Sequence, residues 1–232
     1  MEESSEEHRP LPSPLTRLTA SLLTFQKSLN PCCTSWLMQP SRVRLLFGGA
    51  MRCRIPTAWR DVSELRQVPD HQEVFVSSSS SGESLVIEVL SMPDGLDDHS
   101  SAAFFFNDMV DSDGGTGNVE FVADMTGSIV PTLPKVPKSC LIGVEEVQKF
   151  KGETGIRDKV RLYMVNIRLH CVTTDLLITL HVPQTAGSPS PQSSVDAFLH
   201  ESQHLEAQAL RDLLESFEIT DWAIFGDEGT NT

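Results

Sequence analysis

The chain has 232 residues, with 18 Lys+Arg against 32 Asp+Glu, a net charge of -14 and a pI near 4.8. That balance argues against a nucleic-acid backbone or an anionic membrane as the main partner. A hydrophobic content of 39% is enough for a packed core, and the length allows one or two domains.

Residues 1–44 differ from the rest, with Met-Glu-Glu-Ser-Ser-Glu-Glu followed by Pro10, Pro12, Pro14, Pro31 and Pro40 among many Ser and Thr. Arg17 and Lys27 in a stretch without acids imitate a transit peptide, but the four glutamates at the start spoil that signature. A disordered extension is the expectation, with organelle import as the alternative. The extension carries four acids and five bases, so the remainder holds a net charge of -15.

From Leu45 onward strand signals dominate. Leu45-Leu46-Phe47 and Ala50–Ile55 read as extended pieces around Gly48-Gly49. Asp61 to Arg66 reads as a helical turn capped by Asp61, and Val68-Pro69-Asp70-His71 turns the chain into Glu73–Val76. Serines 77–81 with Gly82 form a hairpin connection to the strand Leu85–Leu90, apolar on both faces except at Glu88. Ala102–Phe106 predicts a short helix, and Gly114-Gly115-Thr116-Gly117 a loop.

After the Pro-rich stretch 131–137, Tyr163, Val165, Ile167, Leu169 and Cys171 alternate with Met164, Asn166, Arg168 and His170. Leu176, Ile178, Leu180 and Val182 alternate with Leu177, Thr179 and His181. Thr173-Thr174-Asp175 joins the two strands, and the pattern predicts one covered sheet face and one more polar face. Val195, Phe198, Leu199, Leu205, Ala209, Leu210, Leu213 and Phe217 then mark an amphipathic helix, followed by the tail Asp221–Gly226.

The five Cys (32, 33, 53, 140 and 171) include no C-x-x-C pair, and no N-x-[ST] acceptor with a non-proline middle residue occurs. An odd count of this kind fits neither a disulfide framework nor a zinc ribbon, and a reducing compartment is expected. Cys53 and Cys171 are read as small apolar strand residues. No apolar run approaches the ~20 residues of a membrane span.

His200-Glu201-Ser202-Gln203-His204 matches the H-E-x-x-H pattern of zinc hydrolases, in which both histidines bind the metal and the glutamate serves as base. Three features oppose a zinc site. The two histidines fall opposite the apolar stripe of their helix. Ala207 and Leu210 stand where a metzincin needs Gly and a third His. Only 28 residues follow His204, leaving little scaffold for another ligand. Two solvated histidines are the expectation, with no metal and no cofactor. The chain also lacks a P-loop and a G-x-S-x-G elbow, so it is expected to be neither a nucleotidase nor a serine hydrolase. Leu205 to Ile219 has the spacing of a leucine-rich export signal, but the same residues are needed by the core.

Leu46-Phe47-Gly48-Gly49-Ala50, the block Leu65–Val76 around Val68-Pro69-Asp70-His71-Gln72-Glu73-Val74, and Ser84–Leu90 resemble the Ran guanine nucleotide release factor family. Thr174–Ile178 and Ile224-Phe225-Gly226 fit its later segments. The resemblance covers residues 45–226 in order. It implies an α+β fold: a mainly antiparallel twisted sheet with helices on both sides, an α/β/α sandwich shared with the lumenal extrinsic subunit of the oxygen-evolving photosystem. It further implies a single domain over 45–226, followed by a flexible tail at 227–232.

The resemblance also implies a monomeric, non-enzymatic partner of the GTPase Ran that promotes nucleotide release and serves nuclear transport, in nucleus and cytoplasm. Glu88 matches the family's first acidic position in the strand, whereas Ser91 stands where a second carboxylate is usual. Asp70, Gln72 and Glu73 match the family block. These four residues, with Glu88 foremost, are the expected GTPase-binding set. A lumenal protein of the same fold and the zinc hydrolase are the alternatives.

Overall fold

A computed structural model describes residues 40–79, 82–127, 129–148, 157–184 and 205–226. The expected disordered extension up to residue 39, the tail 227–232 and the His200–His204 motif lie outside the described residues.

Among the described residues ten strands form two sheets. β1 (Ser41–Leu46), β2 (Met51–Pro56) and β10 (Glu218–Ile219) make a three-stranded sheet in the order β1-β2-β10. β3 (Trp59–Asp61), β4 (Gln72–Ser77), β5 (Ser84–Ser91), β6 (Thr116–Asp124), β7 (Lys138–Gln148), β8 (Arg157–Leu169) and β9 (Thr174–Gln184) make a seven-stranded sheet in the order β3-β4-β5-β9-β8-β7-β6. Every pairing is antiparallel. Helices α1 (Ser101–Asp113) and α2 (Leu205–Ser216) complete the fold.

Period-2 burial explains the layers. Tyr163, Val165 and Ile167 of β8, with Leu176, Ile178 and Leu180 of β9, share a core with Leu210, Leu213, Leu214 and Phe217 and with Met51, Cys53 and Ile55 of β2. Leu162, Met164 and Leu177 point the other way, into a second core with Ala102, Phe105, Phe106 and Val110 of α1. The large sheet is therefore flanked by α1 on one face and by α2 with the small sheet on the other. This is the expected antiparallel sheet with helices on both sides.

Several local expectations need correction. β1 begins at Ser41, four residues before the anticipated domain start, because Ser41 to Arg44 pair with Cys53 to Pro56. Cys171 lies exposed in the 3-10 turn His170–Val172, not in a strand. Gly114–Gly117 is no loop: Gly114 caps α1 with φ 64°, and Thr116 opens β6. The glycines allow close helix–sheet approach. A Cβ on Gly117 meets Val110 Cγ2 at 2.8 Å, and one on Gly143 meets Phe106 Cε2 at 2.6 Å.

The second face of β8 and β9 is not solvated either. Asn166, Arg168, Asp175 and Thr179 are buried there. Arg168 Nε donates to Asp175 Oδ1 at 3.1 Å, and Asn166 Nδ2 donates to the same oxygen at 3.0 Å. Arg168 also donates to the carbonyls of Leu96 at 2.6 Å and Pro93 at 3.5 Å. Burial pushes the Asp175 carboxyl above the ordinary carboxylate value, against the pull of Asn166 and Arg168. Asp175 Oδ1 and the Arg168 guanidinium are engaged in this way, while Asp175 Oδ2 and Asn166 Oδ1 are buried without a hydrogen-bond partner.

Removing one partner of such a pair strands the other charge in the core. Arg168→Leu is expected to destabilise the fold by about 3–5 kcal/mol, measured by urea unfolding. A stability within about 0.5 kcal/mol of wild type would show that the pair does not anchor the fold.

Candidate functional site

α1 covers only part of its sheet face. Beyond it the faces of β4, β5 and β9 line an open concavity of about 760 Å³. Its floor carries Gln72, Val74 and Val76 from β4, Val86 and Glu88 from β5, and Thr179 from β9. Leu65 and Arg66 flank it on one side, and Met109 of α1 on the other. Leu65 is an exposed apolar side chain and Glu88 is half-buried. The surface is thus aliphatic with one carboxylate in it.

Glu88 reaches this face by strand alternation. Leu85 and Ile87 point into the core, so Val86, Glu88 and Leu90 point the other way. Gln72 lies directly opposite Glu88 in the β4–β5 register, and its Nε2 donates to Glu88 Oε1 at 2.6 Å. The amide fixes one carboxylate oxygen and leaves the group able to accept further donors.

Asp70 is exposed in the turn just before β4, where Gln72 N donates to the Pro69 carbonyl at 2.9 Å. Val89 N donates to the His71 carbonyl at 2.9 Å, which ties this turn to β5. Asp70, Gln72 and Glu88 therefore belong to one end of the β4–β5 hairpin.

Glu73 does not join them. It sits opposite Ile87 in the register, on the face turned to the main core. There its Oε1 accepts from Phe47 N, at the start of the 3-10 turn Phe47–Gly49. Phe47 has φ 51°, a left-handed conformation that a phenylalanine adopts only under constraint. Burial pushes the Glu73 carboxyl above its ordinary value of 4.5, opposed by the Phe47 amide and reinforced by Asp61. Glu73 thus acts as an internal brace between β4 and the turn after β1. Ser91, at the exposed end of β5, also falls on the face away from Glu88.

Leu65, Val74, Val76 and Met109 were not singled out by sequence. Val74 and Val76 had a usable signal, since they alternate with Glu73 and Phe75. Leu65 and Met109 come from a turn and a helix that only the tertiary fold brings beside the strands. The expected turn at Asp61 is present as the 3-10 turn Val62–Glu64, capped by Asp61 Oδ1, which accepts from Ser63 N at 2.8 Å. Among the described residues no group of three or more His, Cys, Asp or Glu is placed to hold a metal ion. No helix among them is long and apolar enough to cross a membrane.

The family model described as Mog1, Ran-interacting Mog1 protein, matches residues 44–183. A Danio rerio protein named Ran guanine nucleotide release factor is 32% identical over 187 residues, covering 79% of this chain and 99% of its own. The Saccharomyces cerevisiae nuclear import protein MOG1 is 27% identical, over 78% of this chain and 83% of its own. A 1.9 Å crystal structure of the S. cerevisiae Ran-binding protein Mog1p superposes with a TM-score of 0.61 at 24% identity, covering 81% of this chain and all of that one.

The Glu73 brace has a measurable signature. Glu73→Gln keeps an acceptor for Phe47 N, whereas Glu73→Ala removes it. Amide hydrogen exchange at Phe47 is expected to rise at least about tenfold in the alanine variant only. The pH dependence separates charge from hydrogen bond. The folded chain holds this proton more readily than the unfolded chain, so the stability Glu73 contributes is full below 4.5 and falls as pH rises through the raised value. Glu73→Gln is therefore expected to gain stability relative to wild type between acidic and neutral pH. A constant difference in paired urea titrations would contradict the assignment.

Proposed function

The chain belongs to the Ran-interacting Mog1 family, and from that premise we propose that it binds the small GTPase Ran and promotes release of its guanine nucleotide. The observation that carries the reading is the family match itself. It spans residues 44–183 and so contains Asp70, Gln72, Glu73 and Glu88 together with β4, β5 and most of β9 around them. The role is that of a non-catalytic regulator working in nucleocytoplasmic transport, in both nucleus and cytoplasm.

The mechanism follows from what holds a nucleotide in a GTPase. A lysine and Mg²⁺ neutralise its phosphates. A protein that offers a carboxylate to that cationic site competes with phosphate and lowers the affinity for nucleotide. In this chain Glu88 is the carboxylate best presented for the purpose. It is half-buried among aliphatic residues, where a charge pair is screened less than at an open surface. Gln72 orients it, and Asp70 extends the acidic rim. Glu73 contributes at one remove, by fixing the turn after β1. The net charge of -14 steers the protein toward a basic surface before contact.

The test uses Ran loaded with a fluorescent guanine nucleotide. Wild type at micromolar concentration is expected to accelerate release, and Glu88→Lys to reduce that acceleration at least about tenfold. Asp70→Lys is expected to act mainly on the association rate and to weaken its salt dependence, as a rim charge does. A wild type that neither forms a complex nor speeds release would overturn the reading. An active Glu88→Lys would move the contact away from this concavity.

A further inference from the structure

The acidic total conceals a basic island. Residues 42–66 carry six arginines (42, 44, 52, 54, 60 and 66) and only two acids, Asp61 and Glu64. Four of those arginines lie on β1 and β2, and the register decides where each one points. Leu46, Met51, Cys53 and Ile55 fill the core. Their neighbours Val43, Leu45, Arg52 and Arg54 must therefore face outward, with Leu45 opposite Arg52 and Val43 opposite Arg54. Arg44 turns inward: its guanidinium donates to the Trp59 carbonyl at 3.0 Å and lies 5.7 Å from the Phe75 ring centre.

The outer face combines exposed aliphatic side chains with cations. Val43 is 60% and Leu45 70% exposed, even with arginine stems beside them. Arg52 is held by Glu218 of β10 at 2.7 Å. Arg54 is exposed on the same face, whereas Arg42, opposite Ile55, starts from the other face. β1 is also the outer strand of its sheet among the described residues, so one edge of Ser41–Leu46 is open to a further strand.

We propose that this face is a docking site for an extended acidic segment of a partner protein, rich in aliphatic residues, which adds to the β1 edge and turns its carboxylates toward the arginines. The edge supplies main-chain hydrogen bonds, Val43 and Leu45 supply apolar contact for the side-chain stems, and Arg54, with Arg52 beside its Glu218 partner, receives the carboxylates. Charge selects this occupant over a second copy of the chain. A second copy would bring a second set of exposed arginines, Arg42 and Arg54, to the same place, and like charges across a strand pair destabilise it. The face lies beyond the main core, on the side of both sheets away from Glu88. Its failure would leave the GTPase reading untouched, and the reverse also holds.

The probe is a fluorescein-labelled octapeptide of alternating Glu and Val, titrated into the full chain and followed by anisotropy. Alternating Lys-Val and Glu-Ser octapeptides serve as controls. Wild type is expected to bind the Glu-Val peptide at least tenfold more tightly than either control, with affinity falling steeply as salt is added. Arg54→Glu is expected to lose at least tenfold, and Val43→Thr/Leu45→Thr severalfold. Bound peptide is expected to protect the amides of Ser41–Leu46 from exchange. Three outcomes would overturn the proposal: no preference for the Glu-Val peptide, undiminished binding by Arg54→Glu, or protection that appears at β6 while β1 is unaffected. A concentration-dependent dimer that the peptide dissociates would assign the edge to a second copy instead.

Discussion

A fully buried arginine bonded to a fully buried aspartate sets the frame on which the rest of the structure depends. Arg168 and Asp175 face each other across β8 and β9, in the middle of the large sheet. Removing two such charges from water is costly, and the cost is offset only where the remaining donors and acceptors are engaged. Arg168 meets that condition by reaching beyond the sheet to the carbonyls of Leu96 and Pro93. The segment after β5 is thereby fixed against the sheet, and Asp98 adds a contact with His170 at 2.9 Å. Ser101, the first residue of α1, is held in turn by Ser139 of β7 at 2.7 Å. The ion pair and Ser139 together tie the segment leading into α1 to the sheet.

Where α1 begins also decides what it leaves open. With Phe106 seated over Gly117 and Gly143, the helix lies over β6, β7 and β8. The strands β4 and β5 keep a half-exposed face, and Glu88 occupies it. A carboxylate there needs no buried counter-charge in the free protein, because Gln72 and solvent suffice. The same group is surrounded by valines, so a cationic partner that closes over it would meet a partly desolvated acid. Stability and binding are in this way assigned to different halves of one sheet face: the buried ion pair lies under the start of α1, and the exposed acid lies beyond the helix.

Much of this was legible in the sequence, for identifiable reasons. The long alternations of β8 and β9, the apolar run of β5 and the stripe of α2 carry strong periodic signals; the first three are present, and so is the stripe at Ala209, Leu210, Leu213 and Phe217, while Val195, Phe198 and Leu199 lie outside the described residues. β6 was missed because an edge strand with Thr116, Asn118 and Glu120 on its surface has little burial to pattern it. β10 is two residues long, too short for any period. β7 carried a readable run, Cys140-Leu141-Ile142, that its central glycine interrupted. The second face of β8 was misjudged because Asn166 and Arg168 look solvent-bound in one dimension. Only the register, which sets Arg168 against Asp175 and Asn166 beside them, shows that both donate to one Asp175 oxygen. Alternation along β5 is enough to set Glu88 on one face with Val86 and Leu90. Glu73 was grouped with it by adjacency in a motif, and strand geometry separates the two.

That separation illustrates how a short block can hold two kinds of residue. In Pro69-Asp70-His71-Gln72-Glu73, the turn presents Asp70, the first outward strand position presents Gln72, and the next position sends Glu73 into the protein. A one-residue step along a strand reverses the side, so neighbouring polar residues in an extended motif are expected to divide between surface and interior. The same rule distributes the arginines of β1 and β2, turning Arg44 inward onto Phe75 while Arg52 and Arg54 face solvent. Net charge carries none of this information. At -14 the chain is strongly acidic, yet one sheet face presents cations and another presents a carboxylate set among aliphatic side chains. What a partner meets is decided strand by strand, through the register, and charge complementarity has to be judged at that scale.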